Sequence, residues 1–251
     1  MSGHSKWSSI KHKKGAADAK RGKLFTKLAR AITVAARDSG GNPDANPALA
    51  LAVQKARDAS MPKDNIQRAI DRGTGEGAGA EAIESAVYEG YGPGGAAILV
   101  EALTDNRNRT GAEIRHAFEK HGGSLGEPGS VSWQFEKRGV ILVDGEGYSE
   151  DDLMPAIDAG AEDVAEDGDL LKVLAPAGAL AAVRSALEDA GVEIQSAELA
   201  MEPKSVVEVA EGEAPALLRL MDALEEHDDV DSVNANFDVP EEILERAAAA
   251  S

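Results

Sequence analysis

The sequence predicts an α+β chain: a small N-terminal helical domain followed by two α/β lobes, the third a ferredoxin-like βαββαβ unit inserted in the second. Three observations carry this. Helical apolar periods fill the first part and stop at a glycine-rich stretch; residues 137–201 run through strand and helix patterns in the order βαββαβ; and residues 202–240 hold one helix and one strand pattern, too little for a core of their own.

From about Lys20 to Arg37, Leu24, Leu28, Ala31, Ile32 and Ala35 recur at three- and four-residue steps, which predicts a helix. Asn46 and Pro47 read as N-cap and first helical position of Pro47–Ala59, and Pro62 opens a third helix that Gly73 is expected to stop. Residues 1–19 lack an apolar period and are expected to be extended or disordered until bound. GTGEGAGA, residues 73–80, reads as a flexible linker closing a first domain over 1–80.

Beyond it, Ala86–Tyr91 and Ala96–Thr104 read as strands around the turn GYGPGG, DNRNRT opens a helix to about His121, and Val131–Glu136 is a strand. The βαββαβ unit then comprises strand Val140–Val143, helix Ser149–Ala159, strand Ala161–Glu166, the turn Asp167–Gly168, strand Leu170–Leu174, helix Pro176–Ala190 and strand Val192–Met201. A helix bearing Leu217, Leu220, Met221 and Leu224 and the alternation Val233, Ala235, Phe237 complete the pattern. Residues 81–136 need a partner for their second face, so 202–240 is expected to close on them as one discontinuous domain, with 137–201 inserted and 241–251 a short, fraying helix.

Charge is divided along the chain. Its net charge is -19, yet residues 1–72 carry 15 Lys and Arg against 6 Asp and Glu, a net of +9, while residues 73–251 carry 11 against 39, a net of -28. One end is built to meet a polyanion and the other to repel it. The densest run holds Lys6, Lys11, Lys13, Lys14, Lys20, Arg21, Lys23, Lys27 and Arg30, interleaved with Trp7 and His12, side chains that can stack on bases. The competing reading is a solvated basic face that keeps the N-terminus soluble. Absence of cysteine excludes disulfides, Cys-ligated zinc and a thiol nucleophile, and fits a cytoplasmic setting. No stretch approaches ~18 consecutive apolar residues, and the charged N-terminus lacks an apolar h-region, so neither a membrane partner nor a signal peptide is expected.

Catalytic and metal motifs do not converge. GTGEGAG and GYGPGG match neither a phosphate loop nor a dinucleotide fingerprint and read as linker and hairpin turn. Glu113 and His116 have the i, i+3 spacing of a metal site but lack a second such pair, so a solvated helix face is favoured. Asp228–Asp229 and Asp151–Asp152 read as solubilising or helix-end acids. No enzyme activity, cofactor or metal is expected. Arg107 and Arg109 in DNRNRT sit at a predicted helix N-terminus, where free N–H groups also favour anions; an exposed capped turn explains them equally well.

The runs MSGHSKWSSIKHKKGAADAKRGKLFTKLAR, MPKDNIQRAIDRGTG, YEGYGPGGAAILVEALTDNRNRT and GSLGEPGSVSWQFEKRG resemble the YebC/PmpR family over essentially the full length. The resemblance implies three domains with the third inserted in the second. It also implies a regulator of gene expression, since the family is described as DNA-binding transcriptional regulators and includes a mitochondrial translational activator and bacterial members that assist the ribosome. The expected partner is therefore nucleic acid, either DNA or ribosomal RNA in a ribosome-associated factor. Pro62–Arg72 offers a DNA-reading helix only Asn65, Gln67, Arg68 and Arg72.

Overall fold

The structure, a computed structural model, describes residue 7 and residues 18–75, 83–240, 242–244 and 246, with the backbone alone at 18–20. Helices α1 (Asp18–Ser39), α2 (Pro47–Asp58) and α3 (Lys63–Thr74) pack around Leu28, Ile32, Leu49, Val53, Ile66 and Ile70. The buried Asn46 organises their first corner. Its Oδ1 accepts the Leu49 N–H at 3.1 Å as the α2 N-cap, while its Nδ2 donates to the Ala35 and Gly40 carbonyls, both at 2.8 Å.

Gly73 does not stop α3, which runs on to a left-handed Gly75 at φ 82°. Its role is close approach: a Cβ there would lie 2.4 Å from the Thr33 carbonyl oxygen and 2.8 Å from Ala36 Cβ on α1. Thr33 Oγ1 also donates to the Ala69 carbonyl at 3.1 Å, a side-chain tie between α1 and α3 beside that close approach.

The second lobe is an antiparallel sheet in the order β3-β1-β2-β9, built from β1 (Glu84–Tyr91), β2 (Ala97–Thr104), β3 (Ser124–Leu125) and β9 (Val230–Ala235). The period-2 alternation sends Ile98 and Val100 to one face, under α4 (Arg107–Lys120) and α7 (Ala214–Glu225), where they pack with Ile114, Phe118, Leu217, Met221 and Leu224. Ala97 and Leu99 point the other way, to Val131 and Phe135. Because β9 lies beside β2, residues 230–235 complete a sheet begun before residue 105.

The third lobe has strand order β5-β6-β4-β7, from β4 (Phe135–Asp144), β5 (Asp163–Asp167), β6 (Leu170–Pro176) and β7 (Ile194–Pro203), covered by α5 (Met154–Asp158) and α6 (Leu180–Asp189). This is the ferredoxin-like arrangement. Ile141, Val143, Val173, Leu153, Val183 and Leu187 form its core. The expected strand at Val131–Glu136 is instead a 3-10 turn, Ser132–Gln134, leading into β4, and β4 is continuous across the expected boundary at 136/137. It pairs with β7 from Phe135↔Pro203 to Val143↔Ile194, so the third lobe leaves and rejoins the second on one antiparallel ladder. A short parallel pair, β8 (Val207–Glu208) and β10 (Phe237–Asp238), follows it.

Trp7 and the C-terminal tail depart from expectation, and the rest of residues 1–17 lie outside the described residues. Trp7 is helical and 0% exposed, within the core cluster of the second lobe that includes Ile98, Phe118 and Leu217. In the C-terminal tail, Ile243 and Leu244 are buried in that same cluster rather than fraying.

Candidate nucleic-acid interface

The basic helix α1 projects from the helical domain along the C-terminal end of α7. Its apolar stripe fixes the rotation: with Leu28 and Ile32 in the core, Lys23, Lys27 and Arg30 face the segment 225–229. Lys27 Nζ donates to the Glu225 carbonyl at 2.6 Å, Arg30 Nη1 to the Asp228 carbonyl at 2.8 Å, and Lys23 Nζ lies 3.5 Å from Asp228 Oδ1. Burial lowers the pKa of the Lys27 ammonium, against the pull of Asp231, Glu225 and Asp228.

Asp229 is the centre of this contact. Arg30 Nη1 meets its Oδ1 at 2.7 Å; Arg109 Nη2 and Thr110 Oγ1 meet its Oδ2 at 2.6 and 2.7 Å. Burial alone would raise this carboxyl, but Thr110, Arg109 and Arg30 outweigh it and bring it from 3.8 down to about 2. The turn DNRNRT is shaped for the purpose: Asn106 Oδ1 caps α4 through the Arg109 N–H at 3.1 Å, and Thr104, Thr110 and Asp229 form one buried hydrogen-bonded group. Asp229 is therefore not a solubilising loop end but a buried counter-ion shared by the helical domain and the second lobe, while Asp228 beside it is exposed. Asp152 does serve a helix end, in a capping box with Ser149.

The sequence-predicted residues thus divide. Lys6, Lys11, His12, Lys13 and Lys14 lie outside the described residues, and Lys20 has its backbone alone described, within α1. Arg21 is exposed, its guanidinium 5.8 Å from the Phe25 ring centroid, and Arg107 is exposed at the start of α4. Lys23, Lys27, Arg30 and Arg109 are engaged within the protein. Trp7 is the plainest correction: a fully buried indole is a core group and presents no face to a base in this conformation.

Cations that the sequence did not single out are also exposed on the helical layer of the second lobe: Arg115 and Lys120 on α4 and Arg219 on α7. Burial lowers the pKa of His121 beside them, and Lys120, Arg219 and His116 lower it further, so the local field is positive inside an acidic lobe.

The helix α3 offers little to a base edge. Gln67 Nε2 donates to Asp71 at 2.7 Å, and Arg68 is bonded to Asn65 and, at 3.1 Å, to the Asp64 carbonyl. Glu113 meets His227 rather than His116: His227 Nε2 lies 2.9 Å from Glu113, and its Nδ1 accepts the Asp229 N–H at 3.1 Å. With Asp229 these form the one trio of metal-ligating geometry among the described residues. Both ring nitrogens and both Asp229 oxygens are already engaged there, beside two guanidiniums, which suits a structural cluster better than a cation site.

No helix among the described residues is long and apolar enough to cross a membrane. The fold and this charge division define a three-lobed α+β protein with a basic helical domain set against two acidic lobes. The chain matches the model of the TACO1/YebC protein N-terminal domain over residues 5–76 and that of the TACO1/YebC second and third domain over residues 83–237. It is 59% identical over 249 residues to a "Probable transcriptional regulatory protein" of Rubrobacter xylanophilus, covering 99% of this chain and 100% of that one. A protein of the same description in Desulfotalea psychrophila is 57% identical over 250 residues, covering 99% and 100%. The crystal structure of a conserved hypothetical protein from Aquifex aeolicus superposes with a TM-score of 0.83 at 48% identity, covering 90% of this chain and 94% of that one. The chain belongs to the TACO1/YebC family.

Proposed function

We propose that this chain is a non-enzymatic, cytoplasmic, nucleic-acid-binding regulator of gene expression that grips phosphate backbone through its basic N-terminal domain. The carrying observation is the division of charge, +9 over residues 1–72 against -28 over 73–251, with Arg21 and Lys23 exposed on α1. Such polarity orients a polyanion on one end of the molecule, because the acidic lobes repel what the basic end attracts. The "Probable transcriptional regulatory protein" description of the relatives agrees with regulation at the level of nucleic acid.

One observation favours ribosomal RNA over a DNA operator as the target. Of the four candidates on α3, Asn65, Gln67 and Arg68 are tied to their own helix and Arg72 is exposed, which leaves little for direct base readout, whereas shape-guided phosphate contact needs no such residues.

The test is charge reversal of Lys11, Lys13, Lys14, Lys20 and Lys23 to Glu. Binding to nucleic acid, followed by fluorescence anisotropy, should be abolished with the fold intact. Wild-type affinity should fall with log salt at a slope of about -0.9 per duplex phosphate or about -0.7 per single-strand phosphate. Retained binding with an unchanged slope removes the reading. Co-sedimentation with ribosomes that the Lys11, Lys13 and Lys14 reversals abolish selects the ribosomal target. A promoter footprint that survives excess random DNA, with no ribosome association, selects the DNA one.

A further inference from the structure

The chain has two tryptophans; Trp7 is wholly buried, and Trp133 is 67% exposed, more than any other large hydrophobic residue among those described. Leaving an indole in water forfeits one of the largest hydrophobic gains a side chain offers, so its setting needs a cause.

That setting is rigid. Trp133 lies in the 3-10 turn Ser132–Gln134, and its Nε1 donates to the Ser130 carbonyl at 3.1 Å. The Tyr91 hydroxyl donates to the same carbonyl at 3.0 Å, so the polar edges of both rings converge on one oxygen. The loop is shaped from beneath by the Glu89 carboxylate, only 7% exposed, which accepts the N–H groups of Gly129, Val131 and Ser132 at 2.7, 2.7 and 2.8 Å. On either side of Trp133, Val131 and Phe135 are buried, and the Gln134 carbonyl accepts the Lys204 N–H at 2.8 Å. A buried carboxylate and two buried anchors thus hold in place a turn that presents one ring outward.

The chemistry around the ring narrows what it receives. Its N–H is already bonded, which leaves the π faces. Lys204 Nζ donates to the Trp133 carbonyl at 3.0 Å, its side chain is exposed, and it makes no ion pair among the described residues. A guanidinium or ammonium from a protein partner would meet that like charge. A base carrying its phosphate would stack on the ring and satisfy the ammonium.

The geometry points to Trp133, with Tyr91 and Lys204, as a stacking platform for an unpaired base of single-stranded or looped nucleic acid, at a site separate from the basic N-terminal domain. It rests on the nucleic-acid reading and adds to it one local exception to the repulsion by the acidic lobes: at Trp133 the contact is the uncharged face of a base, and Lys204 is the cation beside it for the attached phosphate. A duplex keeps its bases stacked and should leave the platform empty.

The full chain is titrated with a 12-nucleotide oligo(U), the matching oligo(dT), a 12-base-pair duplex and an octa-arginine peptide, while emission from the exposed tryptophan and anisotropy of labelled ligand are followed. Single strands should quench the long-wavelength emission saturably, and Trp133→Phe should lack that quenched component. Trp133→Ala should weaken single-strand affinity about 5- to 100-fold with the melting temperature unchanged. A preference between oligo(U) and oligo(dT) identifies the sugar. Should Trp133→Ala lower the melting temperature, Lys204→Glu supplies the test, with weakened single-strand binding and an intact fold expected.

Single-strand binding with unchanged emission and unaltered Trp133→Ala and Lys204→Glu affinities overturns the platform, while loss of that binding on N-terminal charge reversal keeps the functional reading. Quenching by octa-arginine and not by nucleic acid overturns the platform in favour of a protein-docking face. A wild-type chain that binds none of the nucleic acids overturns both.

Discussion

Arg30 on α1 lies 2.7 Å from Asp229 Oδ1, and this contact joins the basic helical domain to a lobe of opposite charge. The Asp229 side chain is 4% exposed, so water screens the pair weakly, and the second oxygen is held by Arg109 and Thr110. Charge segregated along the chain is thus recombined in space. Lys23, Lys27 and Arg30, cations that a polyanion would seek, already have internal partners in this conformation.

Asp229 should therefore carry a pH-dependent share of stability. Its carboxyl is brought from 3.8 to about 2 on folding, so the contribution is present above the unfolded value and is lost as pH falls through about 2. Asp229→Asn is expected to lower the unfolding free energy at pH 7 by roughly 2 kcal/mol. Urea denaturation of both proteins should show that difference shrinking toward zero near pH 2; a constant difference would assign the loss to packing instead of charge.

Glu89 makes a second such prediction. Burial would raise its carboxyl, but the N–H groups of Gly129, Val131 and Ser132 outweigh it and lower it from 4.5. Glu89→Gln should cost about 2 kcal/mol at pH 7, the scale of hydrogen bonds to a charged acceptor. Amide exchange at 129, 131 and 132 should quicken. The wild type should lose the same share as pH falls through its lowered value.

Patterns of period 3.6 and 2 made the α+β class and most elements legible, because α1 and α7 each bury an apolar helical stripe, while β2 and β6 are short apolar runs buried on both faces. The run from Val131 to Val143 misled. Its strand signal is continuous through two lobes, and local periodicity does not reveal that Phe135 packs in one core and Ile141 in another. At the candidate site, cations are visible in sequence and their partners are not: Arg109 and Asp229 become neighbours only once β9 pairs with β2. The buried Trp7 shows the same limit, since one aromatic in a polar run has no period from which to read its burial.

Gly73→Ala is a test of close approach. In an exposed helix the change would stabilise by about 1 kcal/mol through helix propensity. Here the added Cβ would sit 2.4 Å from the Thr33 carbonyl oxygen and 2.8 Å from Ala36 Cβ, so the sign should reverse, with a loss of ~1–3 kcal/mol measured by urea denaturation. A gain would mean that α1 and α3 separate at no cost.

Trp7→Ala should act on stability. A wholly buried indole in the second-lobe core predicts a loss of ~3–5 kcal/mol on truncation. Trp7→Phe, which keeps most of the apolar volume, should fold and bind nucleic acid as the wild type does. Weakened binding by a stably folded Trp7→Phe would instead make Trp7 a contact residue.

The last prediction concerns competition at α1. If phosphates use Lys23 and Arg30, they must displace Asp228 and Asp229, whose contacts with those cations lie at 3.5 and 2.7 Å. Both partners of the Lys23–Asp228 pair are largely exposed, at 60% and 66%, so Asp228→Asn should change stability little while releasing an exposed cation. Affinity for nucleic acid at low salt should then rise, by about 2- to 5-fold for one weakly screened pair. The salt slope should steepen by up to about 0.9 if Lys23 takes up one more duplex phosphate. The Asp228→Asn, Lys23→Gln double variant should lose that gain, which ties it to the released ammonium and not to net charge. Equal affinity and slope in Asp228→Asn and wild type would place phosphate contact on residues before α1 and leave α1 as the structural tie to the acidic lobe.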